Sequence, residues 1–149
     1  MRKHLSRVKG GRLARAAHPS RILSLILSDV IGDDLDTIAS GPTVPDRSTY
    51  GDCLRVLDRH GIVEAVPFPA LQLLREGAAG HLPENPKPGD PAFANTLNVV
   101  VGSNALAVAA AREKARELGF HPLVLSTFVE GETREVARVH AAVAREILA

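Results

Sequence analysis

Apolar residues fall along this chain in two rhythms. Three short stretches carry consecutive apolar side chains: Ile22 to Ser28 (ILSLILS), Thr96 to Val101 (TLNVVV) and His121 to Thr127 (HPLVLST). Runs of this length bounded by turn residues predict strands buried on both faces, the habit of a central parallel sheet. Elsewhere the spacing is helical. Leu54 and Leu57 share one face of a helix predicted over Tyr50–Arg59, with Ser48 or Thr49 as its N-cap and His60-Gly61 as its stop. An Ala-rich helix follows Gly102-Ser103-Asn104 and ends at Leu118-Gly119, and Val136, Val139, Val143 and Ile147 recur through a last helix opened by Gly131-Glu132-Thr133. Shorter helices are predicted over 2–8, 12–17 and 70–75. Residues 77–93 hold four prolines and three glycines, and read as a solvated, mobile linker.

The order is β–loop–α–α–loop–β–α–β–α. Such alternation produces right-handed crossovers and a parallel sheet with helices on both faces, an α/β class. Three strands are few for a doubly wound sheet, so the expectation is an incomplete domain. Composition agrees with the class: 45% hydrophobic residues, only 3% aromatic and no Trp leave Leu, Val, Ile and Ala to form the core.

Bulk charge narrows the partners. A net charge of +1 makes no global case for nucleic acid, and no stretch approaches the roughly 20 apolar residues that a membrane span needs. Cys53 is the single cysteine, so no intramolecular disulfide is possible and a reducing cytoplasm is the expected setting. The Arg-rich, acid-free start resembles a transit peptide, but Gly10-Gly11 and Pro19 interrupt an amphipathic helix there. The six histidines show no metal-ligand spacing and read as surface or capping residues, and Cys53 reads as simply buried.

Local charge is more informative. Residues 1–28 contain seven Lys/Arg and no acid, whereas 29–46 contain five Asp and no Lys/Arg. A basic limb beside an acidic, glycine-bearing loop at a strand end suits a phosphate and its accompanying metal, because open α/β sheets bind ligands at the carboxyl edge of their strands. Asp29, Asp33, Asp34 and Asp36 are candidate Mg²⁺ ligands, although Asp33 and Asp34 could equally cap the turn near Leu35. Lys9-Gly10-Gly11-Arg12 is either a phosphate-grasping turn or a helix break. Gly102, Ser103 and Asn104 either meet an anion at a helix start or supply only an N-cap. Ser40-Gly41-Pro42-Thr43 is an anion cradle or a tight turn. No Walker A, dinucleotide or G-x-S-x-G pattern occurs.

Together the segments RKHLSRVKGGRLA, LSDVIGDDLDTIASGPTVPD, NPKPGDPAF, VVVGSNALAVAAAREKA and GETREVA resemble the ATP-dependent glycerate 2-kinases, some of whose members have been labelled hydroxypyruvate reductases. The resemblance implies a three-layer Rossmann-like fold and phosphoryl transfer from Mg-ATP to the 2-hydroxyl of D-glycerate. It implies Asp29 and Lys9 as catalytic groups and Asp29 and Asp33 as metal ligands. Gly10, Gly11, Ser40, Gly41, Thr43, Gly102, Ser103 and Asn104 would then contact substrate or nucleotide. Family members are much longer, and the match corresponds to the later part of their N-terminal domain, with the C-terminal MOFRL domain outside residues 1–149. The expectation is a chain carrying at most half of a cleft. It could be inactive alone, a remnant that binds a partner, and prone to self-association through exposed apolar faces. A reductase is the remaining alternative, without a dinucleotide glycine fingerprint to support it.

Overall fold

The structure, a computed structural model, describes residues 1–149. It is a mixed α/β chain. A short helix α1 (Arg12–Ala17) leads into β1 (Ile22–Leu27). Helices α2 (Tyr50–Arg59) and α3 (Phe68–Ala78) follow, then β2 (Thr96–Gly102), α4 (Asn104–Glu117) and α5 (Thr133–Leu148). Strands β1 and β2 pair in parallel, Ile22 opposite Thr96 through Ile26 opposite Val100. An irregularity after Ile26 then sets Leu27 opposite Gly102. No helix is long and apolar enough to cross a membrane.

The best-packed part is the α2–α3 pair. Tyr50, Cys53 and Leu57 form the inward stripe of α2, and Leu74 meets them from α3. Each buried leucine stabilises by about 1.5–3 kcal/mol relative to an exposed one. Thr49 starts α2 with a reciprocal capping box: its side chain accepts from the Asp52 amide, and the Asp52 carboxylate accepts from the Thr49 amide. At Gly77 of α3 a methyl group would lie 2.3–2.5 Å from carbons of the Tyr50 ring, so the helices meet there because that side chain is only a hydrogen.

Several elements differ from their sequence expectation. Residues 2–8 form turns rather than a helix, since the Ser6 hydroxyl accepts from the amides of Val8 and Lys9 and bends the chain there. The helix expected over 70–75 runs from Phe68 to Ala78, because Pro67 precedes it and Pro69 sits in its first turn, where a missing N–H costs little. Residues 77–93 are not a free linker: Asn85 and Pro86 are buried, and the Pro86 carbonyl accepts from the Asp46 amide at 2.9 Å. His4 is buried rather than superficial, while Cys53 is buried as expected.

The sheet has two strands, not three. Residues 121–127 form no strand, and the sheet consists of β1 and β2 alone. Nor is β1 buried on both faces. Ile22, Ser24 and Ile26 are half-buried with Thr96, Asn98 and Val100, whereas the other face, with Leu25 66% and Leu27 78% exposed, is bare. Continuous apolar runs report what a strand is suited to contact, and nothing within residues 1–149 covers that face. Every fully buried residue lies at or before Ala92, and α4 and α5 contain none.

The Gly77 contact is testable. Gly→Ala in a helix ordinarily stabilises by up to about 1 kcal/mol. Here the added methyl overlaps Tyr50, and Gly77→Ala is expected to destabilise by about 1–3 kcal/mol in urea titrations followed by circular dichroism. An unchanged or raised midpoint would show that the α2–α3 contact is looser than this geometry.

Candidate functional site

The two strand ends meet at the carboxyl edge of the sheet. The Ser28 amide donates to the Gly102 carbonyl at 2.8 Å, and the buried Ser28 hydroxyl turns back onto Val30 at 3.3 Å. A Cβ on Gly102 would stand 2.7 Å from a Leu27 methyl, so glycine is what allows the strand ends to close. The acidic loop and the Gly102-Ser103-Asn104 turn therefore start side by side. Ser103 is the N-cap of α4, accepting from the Leu106 amide at 3.4 Å, and the Asn104 side chain donates to the Thr127 carbonyl at 3.1 Å.

The four clustered carboxylates divide into two kinds. Asp34 accepts from the Thr37 hydroxyl at 2.6 Å and from the Asp36 amide at 3.2 Å, and the Thr37 bond chiefly holds its pKa below the ordinary value. Asp36 is ion-paired with Lys3. Asp29 is exposed and accepts no hydrogen bond within the chain, and Asp33 likewise has no side-chain partner. Asp33 also holds a positive φ of 55°, a strained setting for a residue with a side chain. No group of three or more His, Cys, Asp or Glu converges as a metal site.

Lys9, Gly10, Gly11, Ser40, Gly41 and Thr43 are brought together as a turn laid on a turn. Gly10 N–H donates to the Ser40 carbonyl at 2.9 Å, Gly11 N–H to the Gly41 carbonyl at 2.7 Å, and Lys9 Nζ to the Ala39 carbonyl at 3.1 Å. The two glycine amides are thus engaged inside the chain and do not face an anion. What the glycines supply is proximity: a Cβ on Gly10 would lie 2.6 Å from Asn85 Nδ2, and one on Gly11 2.7 Å from the Phe93 ring. Opposite them Ala39, Ser40 and Gly41 all have positive φ, so the receiving turn is itself strained. Thr43 is also engaged structurally, its hydroxyl 2.5 Å from Asn98 Oδ1 and 3.3 Å from Ser24 Oγ, which fastens this turn to the sheet. Beside it, Leu13, Leu25, Ile38, Pro42 and Val44 line an apolar pocket of about 290 Å³.

Beneath the turns lies a buried polar network that sequence spacing did not reveal. Asp46 accepts from Asn85 Nδ2 and from the Ser48 hydroxyl, each at 2.7 Å, and from the Ser48 amide at 3.0 Å. Asn85 Oδ1 accepts from Arg12 Nε at 2.5 Å, and Arg12 also reaches the Tyr50 hydroxyl at 2.8 Å. His4 Nε2 lies 3.3 Å from Glu84 and 3.8 Å from Asp46, and its Nδ1 lies 3.3 Å from Cys53 Sγ. Burial lowers the His4 pKa, with Asp46 and Glu84 pulling weakly upward, and burial raises that of the Cys53 thiol. A neutral imidazole accepting the thiol proton at Nδ1 and donating from Nε2 to Glu84 satisfies both directions. Burial pushes Asp46 up, but the bonds from Asn85 and Ser48 outweigh it and leave its carboxyl below the ordinary value. These partners lie up to 80 residues apart, so the only hint in the sequence was an Asn-Pro inside a proline-rich stretch.

Fold and site together define an α/β protein with a strained acidic loop and a helix start at the carboxyl edge of a parallel strand pair. Residues 1–75 match the family model described as a domain of unknown function, DUF4147. The chain is 43% identical over 145 residues to the glycerate kinase of Mus musculus, covering 97% of this chain and 27% of that protein. It is 37% identical over 147 residues to the glycerate 2-kinase of Pyrococcus horikoshii, covering 99% of this chain and 32% of that one. The crystal structure of glycerate kinase from Thermotoga maritima superposes with a TM-score of 0.74 at 37% identity, covering 98% of this chain and 32% of its own. The chain belongs to the DUF4147 family, with glycerate kinases as its relatives, and spans about a quarter to a third of their length.

The network sets a pH response. The His4 pKa lies below 6.5 in the fold, so between those values the unfolded chain binds more protons. Stability is then full above about 6.5 and falls as the pH drops below it. Asp46, depressed below 3.8, adds stability that is present above that value and is lost on further acidification. Urea midpoints measured from about pH 8 to pH 5 are expected to decline below about pH 6.5, and His4→Gln to flatten that decline. An unchanged slope in His4→Gln would assign the effect to another group.

Proposed function

We propose that this chain supplies one wall of a glycerate 2-kinase site, and that it corresponds to the later part of the N-terminal domain of such an enzyme. The reaction is phosphorylation of the 2-hydroxyl of D-glycerate by Mg-ATP, giving 2-phosphoglycerate. The observation that carries the reading is the Ser28–Gly102 hydrogen bond, which sets the acidic loop beside the start of α4. The names of the relatives supply the substrate class.

In this reading the unpaired Asp29 carboxylate accepts the proton of the attacking hydroxyl and orients it toward the γ-phosphorus. The start of α4 receives phosphate oxygens, because helix N-termini carry free amides and a partial positive charge, with Gly102, Ser103 and Asn104 forming the approach. In the alternative role of Asp29 as a metal ligand, Asp29 and Asp33 would supply at most two donors, enough for a magnesium ion that keeps its waters and phosphate oxygens and that, when bound, would neutralise phosphate charge. Lys9, unpaired with any carboxylate, supplies positive charge near the substrate. Gly10, Gly11, Ser40, Gly41 and Thr43 act by holding the two turns in register. A second reading, a remnant that binds nucleotide without turnover, is favoured by the bare sheet face and the absence of fully buried residues beyond Ala92.

A ¹H–¹⁵N correlation spectrum with and without Mg-ATP tests the wall. Shifts at Asp29, Ser103 and Asn104 are expected, and Asp29→Asn should remove their Mg²⁺ dependence. Where glycerate phosphorylation is measurable, the same substitution should lower kcat about 10²–10⁴-fold. Shifts without turnover would favour the remnant. A spectrum indifferent to Mg-ATP would rule out both readings.

A further inference from the structure

Arg12 is the member of the Lys9-Gly10-Gly11-Arg12 turn that the kinase reading leaves unused. It opens α1 and lies on the same helix face as Arg15, three positions further on. Its Nη1 donates to the Ser6 carbonyl at 3.2 Å, next to Arg7 in the chain. Arg7, Arg12 and Arg15 line one pocket of about 440 Å³, with Tyr50, Leu73 and Leu82 among its other walls. The pocket shares no residue with the acidic loop or the start of α4. All of its residues lie at or before Glu84, in the well-packed part of the chain.

Like charges drawn together repel, so the acids around the pocket decide what it can take. Arg15 is matched by Asp90 at 2.6 Å. The Glu84 carboxylate borders the pocket but is engaged elsewhere. Its Oε1 accepts from the Tyr50 amide at 3.0 Å, and its Oε2 accepts from Lys87 at 3.3 Å and lies 3.3 Å from His4 Nε2. Arg12 is bonded only to neutral groups: Asn85 Oδ1, the Ser6 carbonyl and the Tyr50 hydroxyl. Arg7 is exposed and has no ion pair. The guanidinium charges of Arg7 and Arg12 are therefore uncompensated. Tyr50, only 2% exposed, accepts from Arg12 at its hydroxyl oxygen, while its own O–H proton goes to no acceptor in the chain. A buried phenol can donate as well as accept, and here the donor is left over.

We propose that this pocket binds a phosphate monoester carrying a small apolar body. The phosphate is held by Arg7, Arg12 and the Tyr50 hydroxyl proton, and the body lies against Leu73 and Leu82. Charge favours phosphate over carboxylate. A monoester carries about −1.5 to −2 at neutral pH, which is what the two uncompensated guanidinium groups match. Guanidinium groups also pair geometrically with phosphate oxygens. Arg12 is the same residue that holds Asn85, and through it Asp46, so an occupied pocket orders the network beneath the Gly10 turn. The proposal rests on this pocket alone and stands whether or not the kinase reading holds.

The test is a titration of the ¹⁵N-labelled chain with phenyl phosphate, without magnesium, followed by ¹H–¹⁵N correlation spectra. Saturable shifts are expected at Arg7, Arg15, Tyr50, Leu73 and Leu82 and at the Arg12 Nε–H resonance, with Ser103 and Asn104 unmoved. Inorganic phosphate should bind about 3- to 10-fold more weakly, for want of the apolar contact. Phenol should leave the spectrum unchanged. Tyr50→Phe keeps the ring that packs on Gly77 and removes only the donor; it should weaken binding about 10-fold, as loss of a hydrogen bond to a charged group does. Arg7→Gln, at an exposed position that no fold contact needs, should weaken it about 3-fold or more. Dispersed spectra of both variants confirm that they fold. Phenol binding as well as phenyl phosphate would overturn the proposal, because the pocket would then be merely apolar. Shifts centred on Ser103 and Asn104 would overturn it too, placing the anion at the kinase wall instead. So would affinity that both variants leave unchanged, or a spectrum that phenyl phosphate does not alter.

Discussion

The buried carboxylate of Asp46 is the constraint on which the rest depends. A charge with no exposure must be matched at every oxygen or it costs several kcal/mol, and here Asn85, Ser48 and Lys3 match it. Asn85 has its own oxygen matched by Arg12, and Arg12 holds the Tyr50 hydroxyl. Three stretches of chain, 3–12, 46–50 and 84–87, are thereby fixed to one another. A prolyl segment that has the composition of a linker becomes a structural wall for this reason.

That wall sets the geometry above it. Gly10 sits against Asn85 and Asp46 with no room for a Cβ, so the Lys9-Gly10-Gly11 turn is held from below while Ser40 and Gly41 receive its amides from above. The strained left-handed run at Ala39 to Gly41 persists because both sides over-determine it. From there Thr43 transmits the position to the sheet through Asn98 and Ser24. The acidic loop between β1 and this turn is thus tethered at both ends, at Ser28 to Gly102 and at Lys3 to Asp36, with Asp29 and Asp33 left unpaired between the tethers. Structural and candidate chemical roles separate cleanly along one loop.

Much of this was legible beforehand. The helix over Tyr50–Arg59 and the strands near 22 and 96 follow from local periodicity and from cap residues a few positions away, and they lie where expected. The adjacency of Asp29 to the Gly102 turn was implied by the parallel α/β order, since consecutive strands in such a sheet share a carboxyl edge. The helix expected over 2–8 failed because one serine hydroxyl competes successfully for two amides. The strand over 121–127 failed for a different reason: a strand is a property of two segments, and its apolar pattern cannot state whether a partner is at hand.

What the amino-acid sequence determined by itself was therefore the local grammar: which stretches are helical or extended, where they stop, and the family through runs such as SDVIGDDLDTIASGPTVPD. Tertiary structure alone decided which polar groups are committed. It assigned the Gly10 and Gly11 amides to carbonyls rather than to an anion, made His4 a buried neutral base, and divided four neighbouring aspartates into two bonded and two free. The physical reason is range. Propensity and capping act within about four residues, whereas a buried charge is satisfied by whatever the fold delivers, here from nearly 40 residues away.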